Sequence, residues 1–516
     1  MEMKIKKPVV VHPFLFALYV VLFLYARNVD KVALSTTVMP TIVVLLSVSL
    51  LLFLLKQMLH DLHSAGIIVS VVLLWFFSYE AIYSVVAGFE IAGFVLGRHR
   101  YLTPIYPVLL LSFLFIFNLL AVRKKTIGIH KITNYLNVVS VLLILFPLIG
   151  IGTYYVRFKT YNIKTDIVSE PIVQKAKSVN ALQHDELKSL PDIYYIILDS
   201  YTGERALKKY FGFDNSKFIN SLTDKGFYVA SKSRTNYSTT TLSIPSTLNM
   251  QYHLNDIPDF KSGDETIAYQ MVENNKMLRF LKSKGYHYIN LSIWEELDNK
   301  DDYENRYKYK SFFNEFNIEL LRISVLQQIV VVPYIDISEK SKNTIHIFEQ
   351  LKKIPDIKES TFTYAHIMSP HPPYAFDRDG EKVGDSFFSQ LKYIWTEKER
   401  YLDEIIFVNK QIEMVVDKIL STSDVQPIII IQADHGAASM GGFGVEDNRQ
   451  IRMSILNAYY LSDNGSSVLY DSISPVNSFR LIFDYYFGTN YGLLEDKSYY
   501  SHGIGFKELI QVHDSL

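Results

Sequence analysis

Residues 428–436 read Ile-Ile-Ile-Ile-Gln-Ala-Asp-His-Gly, an apolar run that ends in an acid, an imidazole and a glycine. Four consecutive isoleucines are typical of a strand buried on both faces, because β-branched side chains fit the crowded interior of a parallel sheet. In open α/β sheets the ligand-binding crevice lies at the carboxyl ends of the strands. Asp434 and His435 are therefore candidate ligands of a zinc-like or manganese-like cation. A polar turn that merely closes the strand is the alternative interpretation.

A second stretch repeats this design, because residues 191–200 read Pro-Asp-Ile-Tyr-Tyr-Ile-Ile-Leu-Asp-Ser. If the two strands run parallel, Asp199 and Asp434 lie at the same edge of the sheet. Two neighbouring carboxylates repel each other unless a cation lies between them. The pair therefore indicates one bound divalent cation.

Composition excludes several classes of protein. The chain has 516 residues, a net charge of -1 and no cysteine. A near-neutral chain without a basic stripe argues against a nucleic-acid partner. The absence of cysteine excludes disulfides, thiolate catalysis and a formylglycine derived from cysteine.

The first third of the chain is apolar enough to enter a membrane. Five stretches are long enough to cross a bilayer, at about residues 9–27, 39–57, 66–85, 104–122 and 136–156. Lysine and arginine are more frequent on the side of the amino terminus, which the positive-inside rule assigns to the cytoplasm. We predict a five-helix transmembrane domain at 1–157, a juxtamembrane linker at 158–190 and an extracytoplasmic α/β domain with a mostly parallel sheet at 191–516.

A hydroxyl-rich run precedes an apolar helical segment, since residues 236–250 read NYSTTTLSIPSTLNM. Ser and Thr side chains cap free amide groups at the start of a helix. Capping explains one or two hydroxyls, and a longer run suggests a further role. A helix amino terminus also stabilises anions, so a hydroxyl there is well placed to attack a phosphate.

Two histidines lie close together in a segment that consists of a short apolar strand and a proline-rich turn. Residues 362–374 read FTYAHIMSPHPPY, which places His366 in the strand and His371 in the turn. Most lone histidines are structural, and we retain both interpretations for this pair.

Taken in order, these pieces resemble the alkaline phosphatase superfamily, and in particular its membrane-bound, sulfatase-like branch of lipoteichoic acid synthases and phosphoethanolamine transferases. The resemblance implies that Asp199, Thr240, Asp434 and His435 bind the catalytic metal, zinc or manganese, and that Thr240 is the nucleophile. Ser243 and Pro245 complete the threonine motif, and we assign Ser243 to substrate binding. His371-Pro372-Pro373 is similar to the substrate loop of the phosphoethanolamine transferases.

The same resemblance also implies roles for the two histidines, His366 and His371. His371, with His366 as the second choice, would bind the phosphate or protonate the leaving oxygen.

The chain departs from the resembled branch in three ways. It lacks the usual disulfides, and residues 437–453 contain no further histidine, so a complete second metal site is not expected. Thr239 and Thr241 flank the proposed nucleophile, which leaves its register open.

The resemblance implies transfer of a phospho-substituent, of phosphoethanolamine or phosphoglycerol type, from a membrane phospholipid to a surface glycan or lipid-linked acceptor through a phospho-threonine. A multi-pass protein of the bacterial inner membrane is expected. One alternative is a hydrolytic sulfatase, but its signature arginine is replaced by Thr247. The other is a catalytically inactive scaffold in envelope polysaccharide assembly.

Overall fold

The computed structural model describes residues 8–515, except for stretches of one to three residues and for 121–127, 166–189, 253–265, 293–306, 384–396, 438–441 and 502–508. Contacts divide the chain into two compact units. The first comprises Met1–Ser169 and Ser311–Asp336, and the second comprises Glu170–Lys310 and Ile337–Leu516. Most of the predicted linker at 158–190 lies outside the described residues.

The principal helices in chain order are α1 His12–Arg27, α2 Val38–Leu59, α3 Leu62–Phe77, α4 Tyr79–Val86, α5 His99–Phe117, α6 Ile129–Thr165, α7 Ser216–Asp224, α8 Thr240–Asn249, α9 Thr266–Glu273, α10 Lys276–Ser283, α11 Glu315–Arg322, α12 Val331–Leu351, α13 Glu397–Thr422, α14 Val445–Met453 and α15 Pro475–Phe487. The strands are β1 Glu90–Ile91, β2 Phe94–Val95, β3 Ile193–Leu198, β4 Tyr228–Val229, β5 His287–Asn290, β6 Thr361–Ile367, β7 Ile428–Gln432, β8 Asn457–Tyr460, β9 Tyr499–Ser501 and β10 Leu509–Gln511.

The first unit contains apolar helices suited to a membrane. Among the described residues, Leu34–Leu59 and Ile129–Val156 are long and apolar enough to cross one. A third span results if α3 and α4, which meet at a bend of 51°, are counted together. The apolar helices His12–Arg27 and Leu102–Phe117 are shorter. The predicted number of five crossings is therefore not confirmed, because these two helices fall short of the length that a bilayer requires.

The outward faces of α2, α5 and α6 fit a lipid environment. Large apolar side chains such as Leu46, Leu111 and Phe146 are each more than 60% exposed, which water would disfavour and hydrocarbon would not. The buried side of α1 contributes Val21 and Tyr25 to a core that also includes side chains of α11. The stretch around α11 thus belongs to the first unit although it follows β5 in the sequence.

The second unit is built on a six-stranded sheet with the order β4-β8-β7-β3-β6-β5. The pairs β7-β3, β3-β6 and β6-β5 are parallel, and β8 is antiparallel to both β7 and β4. The prediction of an α/β domain with a mostly parallel sheet is confirmed. Both strands that end in an acid lie side by side in the centre, as their continuous apolar sequences indicate.

Helices cover the two faces of this sheet. Alternate residues of β3 point into two separate cores, one with Ile196 and the other with Ile197. The first core is completed by side chains of α12 and α13, and the second by side chains of α8, α10 and α15. This packing places the start of α8 at the carboxyl edge of β3 and β7.

Candidate metal centre

Asp199 follows β3 directly and is almost completely buried. Its amide donates to the carbonyl of Ile367, which continues the parallel pairing with β6 beyond the last strand residue. The next residue, Ser200, has a φ of 68°, so the chain turns sharply there. The Oγ of Ser200 donates to Asp199 Oδ1 at 3.0 Å. The carboxylate is thus fixed at the end of a rigid strand.

Asp434 lies beside it at the end of the neighbouring strand β7. Its Oδ1 accepts hydrogen bonds from the amides of Ser200, at 3.2 Å, and His435, at 2.8 Å. Its Oδ2 accepts a hydrogen bond of 2.8 Å from Thr240 Oγ1. The structure therefore places the two predicted acids at one edge of the sheet, with the predicted nucleophile in contact with one of them.

Thr240 is the first residue of α8, and the extended residue Thr239 precedes it. Besides Asp434, its hydroxyl contacts His435 Nε2 at 3.0 Å. Among the described hydrogen bonds, neither Thr239 nor Thr241 has a side-chain contact with these two residues. The geometry thus favours Thr240 among the three adjacent threonines.

A third candidate ligand comes from β6. One ligand atom each of Asp199, His366 and Asp434 lies within 4.8 Å of the other two, and His366 Nε2 is 3.1 Å from Asp199 Oδ2. The parallel pairing sets His366 beside Ile197, so its side chain reaches the edge where Asp199 lies. Two carboxylates and an imidazole suit zinc or manganese.

His435 is also buried at this site, and its two ring nitrogens have different contacts. Nδ1 lies 3.0 Å from the carbonyl of Gly436, to which it donates, so Nε2 carries the lone pair. That lone pair faces Thr240, the Oδ2 of Asp434 at 3.2 Å and Arg452 Nη2 at 2.9 Å. An acceptor nitrogen is what metal binding requires, and the predicted role of His435 as a ligand stays a prediction.

The charges of the site also favour a cation. Burial and the neighbouring charge of Asp199 raise the pKa of Asp434 to about 7. Burial opposes ionisation of Asp199 as well, but the hydrogen bond with His366 and the nearby imidazoles hold the pKa of Asp199 below its usual range. Burial and Arg452 lower the pKa of His435, which keeps this imidazole neutral. A divalent cation would relieve the repulsion between the carboxylates, so the residues present fit one.

His371 follows β6 in a loop that is held by the buried ion pair between Lys340 and Glu404. Its carbonyl and that of Pro373 both accept hydrogen bonds from Lys340 of α12. Lys340 also lies 3.0 Å from Glu404 of α13, which is completely buried. Glu404 in turn accepts hydrogen bonds from the Ser369 hydroxyl and the Ala375 amide.

The imidazole of His371 is only partly buried. Its Nδ1 donates to the carbonyl of Pro372 at 2.5 Å. Burial lowers the pKa of His371, and the charge of Asp199 opposes this effect. The ring is therefore within electrostatic range of the acids, and no described hydrogen bond joins it to them.

Ser243 contacts the main chain of the site rather than its acidic side chains. Its hydroxyl is buried and donates to the main-chain carbonyl of Asp434 at 2.7 Å. This contact joins α8 to the end of β7. Binding of substrate by Ser243 stays a prediction, and the geometry gives the side chain a structural role.

Gly436 brings α14 close to the site. A Cβ added at this position would lie 2.0 Å from the carbonyl oxygen of Ile451 and 2.8 Å from that of Ser454. The close approach places Arg452, which sequence reasoning did not single out, against His435. The sequence carries no local signal for it, because the contact spans 17 positions.

A mostly parallel sheet thus carries paired acids and an imidazole at its strand ends, with the hydroxyl of the first residue of α8 in contact with one of the acids. The family model named Sulfatase matches residues 191–479. This is more than half of the chain, and the chain belongs to the sulfatase family. It is an enzyme of the alkaline phosphatase superfamily, as its sequence predicts.

Three solved structures illustrate the likeness in fold. The periplasmic domain of EcEptC from Escherichia coli, in complex with Zn, shares 10% identity over 66% of this chain and 96% of that chain, with a TM-score of 0.41. Lipooligosaccharide phosphoethanolamine transferase A from Neisseria meningitidis, an integral membrane protein, shares 12% over 91% and 94%, with a TM-score of 0.34. Lipoteichoic acid synthase LtaP from Listeria monocytogenes shares 13% over 52% and 65%, with a TM-score of 0.32. No curated protein matches the sequence. At these identities and scores the likenesses carry no argument about substrate.

Proposed function

We propose that this enzyme transfers a phospho-substituent from a membrane phospholipid to a hydroxyl of a cell-envelope glycan or lipid-linked acceptor. The observation that carries the proposal is the contact of Thr240 Oγ1 with Asp434 Oδ2 and His435 Nε2 at the start of α8. A hydroxyl that merely caps a helix has no need of a buried acid and an imidazole. The transferred group is of the phosphoethanolamine or phosphoglycerol type.

The metal ligands in this proposal are Asp199, His366 and Asp434, with His435 and Thr240 completing the set. A bound divalent cation supplies Lewis acidity, which lowers the pKa of a hydroxyl and offsets negative charge that develops on phosphate oxygens. Zinc and manganese both fit these ligands.

The first step forms a bond between Thr240 Oγ1 and the phosphorus of the donor headgroup. The hydroxyl proton passes to Asp434 Oδ2, which already accepts its hydrogen bond, and a lone pair of Oγ1 forms the new bond. The bond from phosphorus to the diacylglycerol oxygen breaks, and that oxygen takes a proton from the imidazolium form of His371, which becomes neutral. The amide groups at the start of α8 stabilise the phosphate charge.

The second step reverses the first with a new alcohol. A glycan hydroxyl attacks the phosphorus and passes its proton to the neutral imidazole of His371, while the oxygen of Thr240 leaves and regains its proton from Asp434 Oδ2. The acid of the first step thus becomes the base of the second.

A donor in the membrane suits a chain with this many apolar residues. Confinement of enzyme and lipid to one surface raises the effective concentration of the donor. We place the catalytic unit on the extracytoplasmic face of the bacterial inner membrane, on the basis of the lysine and arginine distribution.

Hydrolysis is the second candidate, because the family model is that of the sulfatases. In a sulfatase-type maturation the residue at 243 would become a formylglycine that faces the metal. The Ser243 hydroxyl is instead buried against the Asp434 carbonyl. This contact favours the threonine as nucleophile.

The test uses the purified full chain with vesicles that contain a phospholipid labelled in its headgroup and a glycan acceptor. Thr240→Ala is expected to lower headgroup transfer and diacylglycerol release by about a thousandfold or more. Thr241→Ala is the matched control, because it removes a hydroxyl one position along the same helix, and it is expected to transfer within a few-fold of the wild type. Unchanged transfer by Thr240→Ala would refute the assignment. Release of the headgroup into water, with none on the glycan, would favour hydrolysis.

A further inference from the structure

The residues of the site differ in how accessible they are. Asp199, His366, Asp434 and His435 are each at most 4% exposed. Thr240, His371 and Arg452 are only partly buried. Four of the five proposed metal ligands are thus buried, and the partly accessible groups are the hydroxyl of Thr240, the imidazole of His371 and the guanidinium of Arg452.

The guanidinium of Arg452 is held in a fixed orientation by main-chain carbonyls. Its Nε donates to the carbonyl of Ser238 at 2.7 Å and its Nη1 donates to that of Gly436 at 3.2 Å. Ser238 lies just before α8, and Gly436 lies just after β7. The side chain therefore bridges the two segments that carry Thr240 and His435.

The third contact of Arg452 places it next to the nucleophile. Its Nη2 lies 2.9 Å from His435 Nε2, and Thr240 Oγ1 lies 3.0 Å from the same nitrogen. A guanidinium has five N–H donors, and the three described contacts use one each. One N–H group of Nη1 and one of Nη2 are left for a ligand, and a cation on His435 Nε2 would release the other N–H of Nη2 as well.

The positive charge of Arg452 has no direct ion pair in the described part of the chain, since its three acceptors are two carbonyls and a neutral imidazole. The charges of Asp434 and Asp199 act on Arg452 without a direct ion pair, and an anionic ligand would supply a direct partner for this partly buried charge. Planar, charge-assisted pairs of hydrogen bonds are the way in which arginine binds phosphate oxygens.

We propose that Arg452 binds the non-bridging oxygens of the group that is transferred to Thr240, which makes it a catalytic residue of the reaction. This inference rests on the proposed function. Residues 437–453 contain no histidine that could hold a second metal ion, and the same stretch provides this arginine. The enzyme thus combines one metal ion with one guanidinium. Arg452 makes and breaks no covalent bond; it offsets the charge on phosphorus oxygens in both steps.

Binding of inorganic phosphate tests the inference without turnover. The full chain in detergent, loaded with zinc, is titrated calorimetrically with phosphate, and its metal content is measured by atomic emission. Arg452→Gln is expected to weaken phosphate binding by about 10- to 100-fold, because two charge-assisted hydrogen bonds are lost. The metal content is expected to stay at that of the wild type. Arg452→Lys should restore part of the affinity, since it keeps the charge but not the paired geometry.

Arg449→Gln is the matched control. It removes the same charge from α14, where Arg449 pairs with Glu446, and it should bind phosphate as the wild type does. Wild-type affinity in Arg452→Gln, loss of zinc together with phosphate binding, or a wild type that binds no phosphate would each overturn the inference. If Arg452→Gln does not fold, Arg452→Lys decides, because wild-type affinity in that variant contradicts a paired contact.

Failure of the proposed function gives a different result. In that case Thr240→Ala transfers the headgroup like the wild type, whatever phosphate binding shows. A wrong assignment of Arg452 leaves the loss of transfer in Thr240→Ala intact.

Discussion

Replacement of Lys340 by methionine tests the claim that a buried ion pair fastens the loop of His371. The side chain of Lys340 is 9% exposed and that of Glu404 is 0% exposed. Lys340→Met leaves a carboxylate in the interior with no cation beside it, and it also removes the donor to two loop carbonyls.

The magnitude follows from the burial of the pair. Removal of one partner of a buried ion pair costs about 3–5 kcal/mol. Glu404 keeps its hydrogen bonds from Ser369 and Ala375, so we expect the lower end, about 3 kcal/mol. In a domain of this size, that loss lowers the apparent melting temperature by roughly 4–5 °C. A loosened loop would also slow headgroup transfer by about tenfold or more.

The measurement is thermal unfolding of the full chain in detergent, followed by near-ultraviolet circular dichroism. Lys342→Met is the control, because its pair with Glu339 lies two residues along the same helix and is 47% exposed on the lysine side. Such pairs contribute about 0.5 kcal/mol or less. The double variant of Lys340→Met and Glu404→Gln should lose less stability than the sum of the singles. Equal melting of Lys340→Met and Lys342→Met would refute the reasoning.

Two further predictions concern the residues around the acids. Gly436→Ala should reduce the yield of folded protein and its zinc content, because the new methyl group would lie 2.0 Å from the Ile451 carbonyl oxygen. Size-exclusion profiles and metal analysis check this. A folded, zinc-loaded variant would show that the segments of Gly436 and Ile451 can move apart. His366→Ala should weaken zinc affinity by about 10-fold or more while the fold is kept, measured by competition with a chelator; unchanged affinity would remove His366 from the ligand set.

Much of the sheet could be predicted because its central strands have a recognisable local sequence pattern. The isoleucine run at 428–431 and the apolar run before Asp199 are continuous, as central parallel strands are, and each ends in an acid. Their parallel pairing brings both acids to one edge. The hydroxyl run at the start of α8 pointed to a nucleophile there, but the run alone could not separate Thr240 from Thr239 and Thr241, and only the resemblance to the family motif favoured Thr240.

The remaining parts of the site depend on contacts that no local pattern encodes. His366 joins the acids only because β6 pairs with β3 in one particular register. Lys340 and Glu404 are 64 positions apart, and the helices that carry them read as ordinary amphipathic helices. Arg452 reaches His435 only because Gly436 permits a close approach of α14.

In the membrane part, too, local sequence patterns indicate the helices but not their long-range contacts. The apolar stretches are evident from hydropathy, and their helices form near the predicted positions. Apolar length alone did not reveal that Ser311–Asp336 belongs to the first unit. Phe316 and Leu320 of α11 are buried in a core with Tyr25, and a short amphipathic helix does not identify its partner.

The proposed mechanism requires a covalent bond between Thr240 and the transferred group. The full chain is incubated briefly with donor vesicles in the absence of acceptor, quenched with acid and digested, and its peptides are analysed by mass spectrometry. The account predicts a phospho-adduct on the peptide that contains Thr240, localised to that residue and carrying the mass of the headgroup. An enzyme that turns over the donor with an unmodified Thr240, or with the adduct on another residue, would contradict it.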